Sequence, residues 1–204
     1  MYLFFIRAFN DVDHLTPIVW KMSNDKHPVA VYCMNPEYDI RNDYRLDFLE
    51  KLGVPVAYIY DAFDRDLGAL HRVLRLLFQR SFALQSGSSA DSRSPLSSFS
   101  NPLRRLARET GVLLYKLTRR MYYDSNWARS ILERTGAQAL CFDWVSPERY
   151  VVKVLLEAAK DKGVPTLALP HGVNLYTNES AKNDLPASKV REKYHRYDRI
   201  VVQN

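Results

Sequence analysis

Three times along the chain a helical pattern closes on a glycine and a short apolar run follows at once: "FLEKLGVPVAYIY", "ILERTGAQALCFDW" and "AAKDKGVPTLALPH". Gly53, Gly136 and Gly163 read as the residues just past helix C-termini, where a left-handed backbone strains any side chain and glycine meets no penalty. Each apolar run then reads as a strand. The runs "YLFFI", "PVAVYCM" and "DRIVVQ" supply further strands, and their weak alternation is that of a parallel sheet covered on both faces. Helix and strand in regular succession predict an α/β fold, a doubly wound and mostly parallel sheet of about six strands, Rossmann-like.

The helices are read from caps and apolar stripes. Ser146 as N-cap and Pro147 at the first helical position predict a helix from Pro147 to Lys162, with Val151, Val154, Leu155, Ala158 and Ala159 on its buried face. Thr16-Pro17 predicts another helix start by the same logic, and Leu67, Leu70, Val73, Leu74 and Leu77 mark a third stripe. Residues 85–102, "QSGSSADSRSPLSSFSNP", read as a flexible Ser-rich insertion with too little apolar surface to offset ordering. From 103 to 122, Leu103, Leu106, Leu113, Leu114, Leu117 and Met121 recur at helical spacing beside Arg104, Arg105, Arg108, Lys116, Arg119 and Arg120. Two readings of this basic helix stand: a surface helix on an anionic membrane, or a core-packed helix with a solvated charged face. Trp20, Trp127 and Trp144 are expected in the core.

A chain of 204 residues, 47% hydrophobic and 25% charged, suits one globular domain, expected over 1–204. The formal charge of +6 favours anionic partners. No apolar run is long enough for a membrane span, and Arg7 interrupts the N-terminal run too early for a signal peptide, so a cytoplasmic location is expected. Cys33 and Cys141, each inside an apolar run, read as buried reduced thiols. No P-loop, G-x-G-x-x-G turn, H-E-x-x-H pair, C-x-x-C pair or G-x-S-x-G elbow occurs in the sequence, so no metal site or cofactor is expected.

In open α/β sheets ligands bind beyond the carboxyl ends of the strands, which makes the residues following each strand the candidates. These are Arg7 and Asn10; Asn35 and Glu37; Asp61 and Asp64; Asp143; and, in "VPTLALPHGVN", His171, Gly172 and Asn174. The Gly172 amide can approach a ligand closely, since no side chain stands behind it. Each candidate also has a plain structural reading: His171 as a turn residue, Asp143 leading into the helix capped by Ser146, Asp61 and Asp64 as caps, Arg7 and Asn10 as loop residues.

The strand order, "VPTLALPHGVN" after the fifth strand, and "KYHRYDRIVVQN" opening a further strand at Tyr197-Asp198 resemble the N-terminal, acceptor-side half of a GT-B glycosyltransferase, of the bacterial surface-polysaccharide group that includes capsule and teichoic-acid transferases. The resemblance implies transfer of a sugar or polyol phosphate from a nucleotide-activated donor to a glycan or lipid-linked acceptor, without an obligatory metal. It implies His171 as general base with Asp143 as its rival, and Gly172, Asn174, Arg7 and Asn10 as substrate contacts. It implies a donor-binding C-terminal domain, which the 204 residues do not contain, so a fragment or split subunit is expected. The basic helix 103–122 would then hold the domain peripherally at the inner membrane face; nucleic acid is not expected as a partner. Two alternatives remain: a nucleotide-sugar 2-epimerase-like domain, and a non-catalytic α/β module binding anionic ligands.

Overall fold

The computed structural model describes residues 1–63, 123–143, 150–169 and 197–200. The chain divides into two units, Met1–Phe63 with Ser125–Asn204, and Asp64–Asp124; the architecture below is that of the first. The stripe of residues 67–77, the Ser-rich stretch and the basic helix of the sequence reading lie outside the described residues, as do Asp64 and Trp144.

The elements, numbered as described, are β1 (Tyr2–Ile6), α1 (Phe9–Asn24), β2 (Val29–Cys33), α2 (Tyr44–Lys51), β3 (Val56–Tyr58), a single turn α3 (Ile59–Ala62), α4 (Ser125–Thr135), β4 (Ala139–Asp143), α5 (Val152–Lys162), β5 (Thr166–Leu169) and β6 (Arg199–Ile200). The six strands form one sheet in the order β3-β2-β1-β4-β5-β6, and every pairing is parallel. This is the doubly wound α/β fold that the alternation predicts. β1 lies at the centre, Phe4 opposite Val31 on one side and Cys141 on the other.

The absence of alternation in "YLFFI" has its cause in that central place, since both faces of β1 are covered. Phe4 and Ile6 join Val12, Leu15 and Val19 of α1, Val29, Val31 and Cys33 of β2, and Leu46 and Leu49 of α2 in one apolar cluster. On the other face Phe5 stacks on Phe142 at 4.7 Å between ring centroids, and Phe142 meets Tyr197 edge-on. Phe5 continues through Tyr32 to Phe63, whose carbonyl accepts the indole N–H of Trp127 at 2.9 Å. Full burial of each such aromatic or aliphatic side chain contributes roughly 1.5–3 kcal/mol, which makes the sheet core the main source of stability.

All three glycines carry positive φ, 83° at Gly53, 57° at Gly136 and 67° at Gly163, as the C-terminal reading requires. Two helix starts differ from the sequence reading. The helix expected to begin at Thr16-Pro17 begins eight residues earlier, at Phe9, with Pro17 inside it. Thr16 caps nothing: its buried hydroxyl has no partner among the described residues. Proline's missing amide is tolerated there because Pro17 faces solvent, while Val12, Leu15 and Val19 keep the stripe continuous across it. The helix expected from Pro147 starts instead at Val152, because Tyr150 has φ 50° and a left-handed residue cannot lie within a right-handed helix. Its N-cap is Val151, and Ser146 and Pro147 lie outside the described residues. Its buried face is Val152, Leu155, Leu156, Ala158 and Ala159, with Val154 only half-buried. Trp127 is in the core as expected, whereas Trp20 is 45% exposed.

At the far edge, Asp198 fastens β6 to β5. Its carboxylate accepts from the Thr166 amide at 2.8 Å and hydroxyl at 2.9 Å, and its own amide donates to that hydroxyl at 3.0 Å.

Candidate functional site

Because the chain leaves β1 toward β2 on one side and β4 pairs on the other, the strand order reverses between β1 and β4. In open α/β sheets the ligand crevice lies at such a point, outside the carboxyl ends of the two strands. Arg7 immediately follows β1 and Asp143 is the last residue of β4. The fold thus brings together two residues 136 positions apart that sequence reading named separately: an Arg7 guanidinium nitrogen donates to Asp143 Oδ2 at 2.5 Å.

A third member, Asp11, was not among the candidates. It stands in the first turn of α1, and its Oδ2 accepts from both the Arg7 amide and Arg7 Nε at 2.7 Å, while its Oδ1 accepts from Arg7 Nη2 at 2.8 Å. Arg7 is 15% exposed in its side chain, Asp11 1% and Asp143 0%. The Arg7-x-x-x-Asp11 spacing was visible in the sequence, but a first-turn acid is so common at helix N-termini that it carries no special signal.

One guanidinium here serves two buried carboxyls. Burial pushes the Asp11 carboxyl up to about 6, opposed by its bonds from Arg7 and reinforced by a hydrogen bond shared with the Asp143 carboxyl. Burial alone would lower Arg7, but the bond and charge of Asp11 and the charges of Asp143 and Tyr150 hold it above its ordinary value. The two directions agree physically: Arg7 faces two anions, and the two carboxyls lie close enough to raise one another. Such a pair titrates as a unit.

Tyr150, whose phenol acts electrostatically on Arg7 only once it is ionised at high pH, is the other residue sequence reading missed. Its left-handed φ of 50° is uncommon for a bulky side chain and is kept where the surrounding structure imposes it. Cys33 lies nearby on β2, its thiol donating to the Asn35 carbonyl at 3.3 Å. Burial pushes both Cys33 and Cys141 up to about 12, which keeps them as thiols at neutral pH.

Asn10 is exposed in the first turn of α1. Asn35 turns the chain after β2, its side chain accepting from the Glu37 amide at 3.0 Å, and Asp61 lies within the single turn of α3; the helix it was expected to cap lies outside the described residues. His171, Gly172 and Asn174 lie outside the described residues, His171 two positions beyond the last residue of β5. Among the described residues no group of His, Cys, Asp and Glu is arranged to hold a metal ion, and no helix is long and apolar enough to cross a membrane.

A second arginine network closes the β2–α2 connection. Asp43 caps α2, its side chain accepting from the Arg45 amide at 3.0 Å. The same carboxylate pairs with the Arg45 guanidinium and the Tyr38 hydroxyl, and Arg45 also pairs with Asp13 and reaches the Phe9 carbonyl. Tyr58 donates to the Tyr38 carbonyl at 2.6 Å. Burial pushes Asp43 up, but these bonds outweigh it and bring the carboxyl down to about 2.

Compared with known proteins, the chain matches no protein-family model and no curated sequence.

Proposed function

We propose that this domain is the acceptor-binding side of a GT-B-type glycosyltransferase, taking a hydroxyl-bearing glycan rather than a nucleotide at its switch point. One observation carries the reading. In α/β domains that bind nucleotides at this place, the helix after β1 offers free amides and its positive end to a phosphate. Here the chain's own carboxylates stand beside that helix start: Asp11 accepts from the amide of Arg7, just ahead of the Ala8 N-cap, and Asp143 pairs with the Arg7 guanidinium. A phosphate entering would have to displace one carboxylate and lie beside the other. A neutral hydroxyl meets no such repulsion.

In this reading the acceptor hydroxyl attacks the anomeric carbon of a nucleotide-activated sugar held by a donor-binding domain. Its proton passes to a base at the carboxyl edge, and the nucleotide leaves with the bonding electron pair. His171 is preferred as that base. Asp143, its rival, is fully buried and committed to Arg7, so its part is to hold Arg7 and the edge of β4 in place. Gly172, Asn174 and Asn10 contact the acceptor. The basic stretch 103–122 would bring the domain to an anionic membrane surface that presents lipid-linked acceptors.

The test is equilibrium binding of the full chain to an array of bacterial envelope oligosaccharides and, separately, to a panel of nucleotide sugars. Oligosaccharide binding that falls on His171→Ala, with no nucleotide-sugar binding, is the expected result. Tight nucleotide-sugar binding without any glycan binding would overturn the reading and favour an epimerase-like domain.

A further inference from the structure

Phe9 and Tyr44 are each the first residue of a helix, α1 and α2. Helix starts lie at the carboxyl edge of a parallel sheet, the edge where α/β ligands bind. Both rings are open to solvent, 56% and 75% exposed. They are nevertheless held in place. The Arg45 guanidinium lies 4.0 Å from the Phe9 ring centroid and 5.5 Å from that of Tyr44, and Arg45 itself is fixed by Asp43, Asp13, the Tyr38 hydroxyl and the Phe9 carbonyl. A buried cation therefore sets the relative placement of two exposed rings.

The chemistry around them is selective. Arg45, the cation against which both rings lie, is matched by two aspartates, so it offers a phosphate little net charge. Asn10, next to Phe9, is exposed and offers an amide with both donor and acceptor capacity. Aromatic faces beside a polar amide suit a ligand that is apolar on one face and hydroxylated at its rim. A pyranose is such a ligand, since its ring C–H groups can lie on an aromatic face while its hydroxyls hydrogen-bond at the edge.

We propose that Phe9 and Tyr44, with the Asn10 amide, form a ledge that binds one neutral pyranose ring of a glycan. The ledge rests on the acceptor-side reading above and names the ligand class for it. A protein partner would be expected to use Phe48 and Leu52 as well, which are exposed one and two turns further along the same side of α2.

Saturation-transfer difference NMR on the full chain tests the ledge, with methyl β-D-glucopyranoside, methyl β-D-galactopyranoside and methyl N-acetyl-β-D-glucosaminide as probes and ribitol as control. Saturation of the ring C–H protons of at least one pyranoside is expected, with little transfer to ribitol. Phe9→Leu and Tyr44→Leu keep apolar bulk against Arg45 but remove the ring face, and each should weaken the signal roughly three- to tenfold. Phe48→Ala should leave it unchanged. The ledge is refuted if no pyranoside is saturated, if both leucine variants saturate like the parent chain, or if Phe48→Ala causes the same loss. Pyranoside binding that depends on Phe9 and Tyr44, in a chain whose His171→Ala variant binds envelope oligosaccharides unchanged and which binds nucleotide sugars tightly, would sink the transferase reading and leave the ledge standing.

Discussion

Arg7 and Arg45 each bind two aspartates, yet the two networks hold their protons oppositely. At the switch point Asp11 and Asp143 are both buried and share one cation, and Asp11 is pushed up to about 6. Beside α2, Asp43 collects two side-chain donors and a backbone amide and falls to about 2, while its co-partner Asp13 is 46% exposed in its side chain and keeps its water. Burial, reinforced by a neighbouring carboxyl, decides the matter at Asp11, whereas at Asp43 the bonds from Arg45 and Tyr38 outweigh it. The network around Arg45 is a structural clamp; the one around Arg7 holds a proton poised near neutrality at the place where this fold binds ligands.

The largest expected effect comes from removing the shared cation. Arg7→Met removes the guanidinium that two buried carboxyls share, leaving Asp11 the backbone amide of residue 7, and should cost about 3–5 kcal/mol in urea unfolding at pH 7. Arg45→Met should cost less, about 1–3 kcal/mol, because Asp43 keeps the Tyr38 hydroxyl and the capping amide; equal losses would break the contrast. The pH dependence sharpens it with opposite signs. Asp11 holds its proton longer in the native state than in the unfolded chain, where its ordinary value is 3.8. Its contribution to stability is therefore present below pH 4 and declines by roughly 3 kcal/mol as pH rises through about 6. Asp43 is the reverse: its stabilisation is present above pH 4 and is lost, by roughly 2–3 kcal/mol, as pH falls toward 2. Asp11→Asn should flatten the upper slope and Asp43→Asn the lower one in denaturation series at stepped pH. Thr166→Val, which removes the hydroxyl's bonds to the Asp198 carboxylate and amide, should cost about 1–3 kcal/mol. The exposed Lys21–Asp25 pair sets the floor, with Lys21→Ala expected within about 0.5 kcal/mol of the parent.

β3, β4 and β5 were legible because each follows a glycine that a helix end explains, and β1, β2 and β6 as short apolar runs; the sheet order follows from a fold that admits few topologies. The two helix starts misled for a shared reason. Thr16-Pro17 and Ser146-Pro147 carry the local chemistry of a cap, but tertiary packing decides where a helix begins. Val12 and Leu15 extend the α1 stripe ahead of the proline, and Tyr150 interrupts the other helix by a backbone conformation that no residue pattern announces. Arg7 and Asp143 were legible as edge residues. Their union was not, since it depends on β4 pairing beside β1 across 136 positions, and Asp11 was hidden by its resemblance to any first-turn acid.

The proposal stands on the chain's own carboxylates disfavouring phosphate at the switch point, Asp11 and Asp143 holding Arg7 between them. The Arg7 Nε–H resonance of the ¹⁵N-labelled full chain, followed by NMR while uridine diphosphate is added at pH 7, tests this directly. A resonance that stays in place at saturating nucleotide is the expected result. A saturable shift at Arg7, showing that the diphosphate has displaced Asp11, would contradict it.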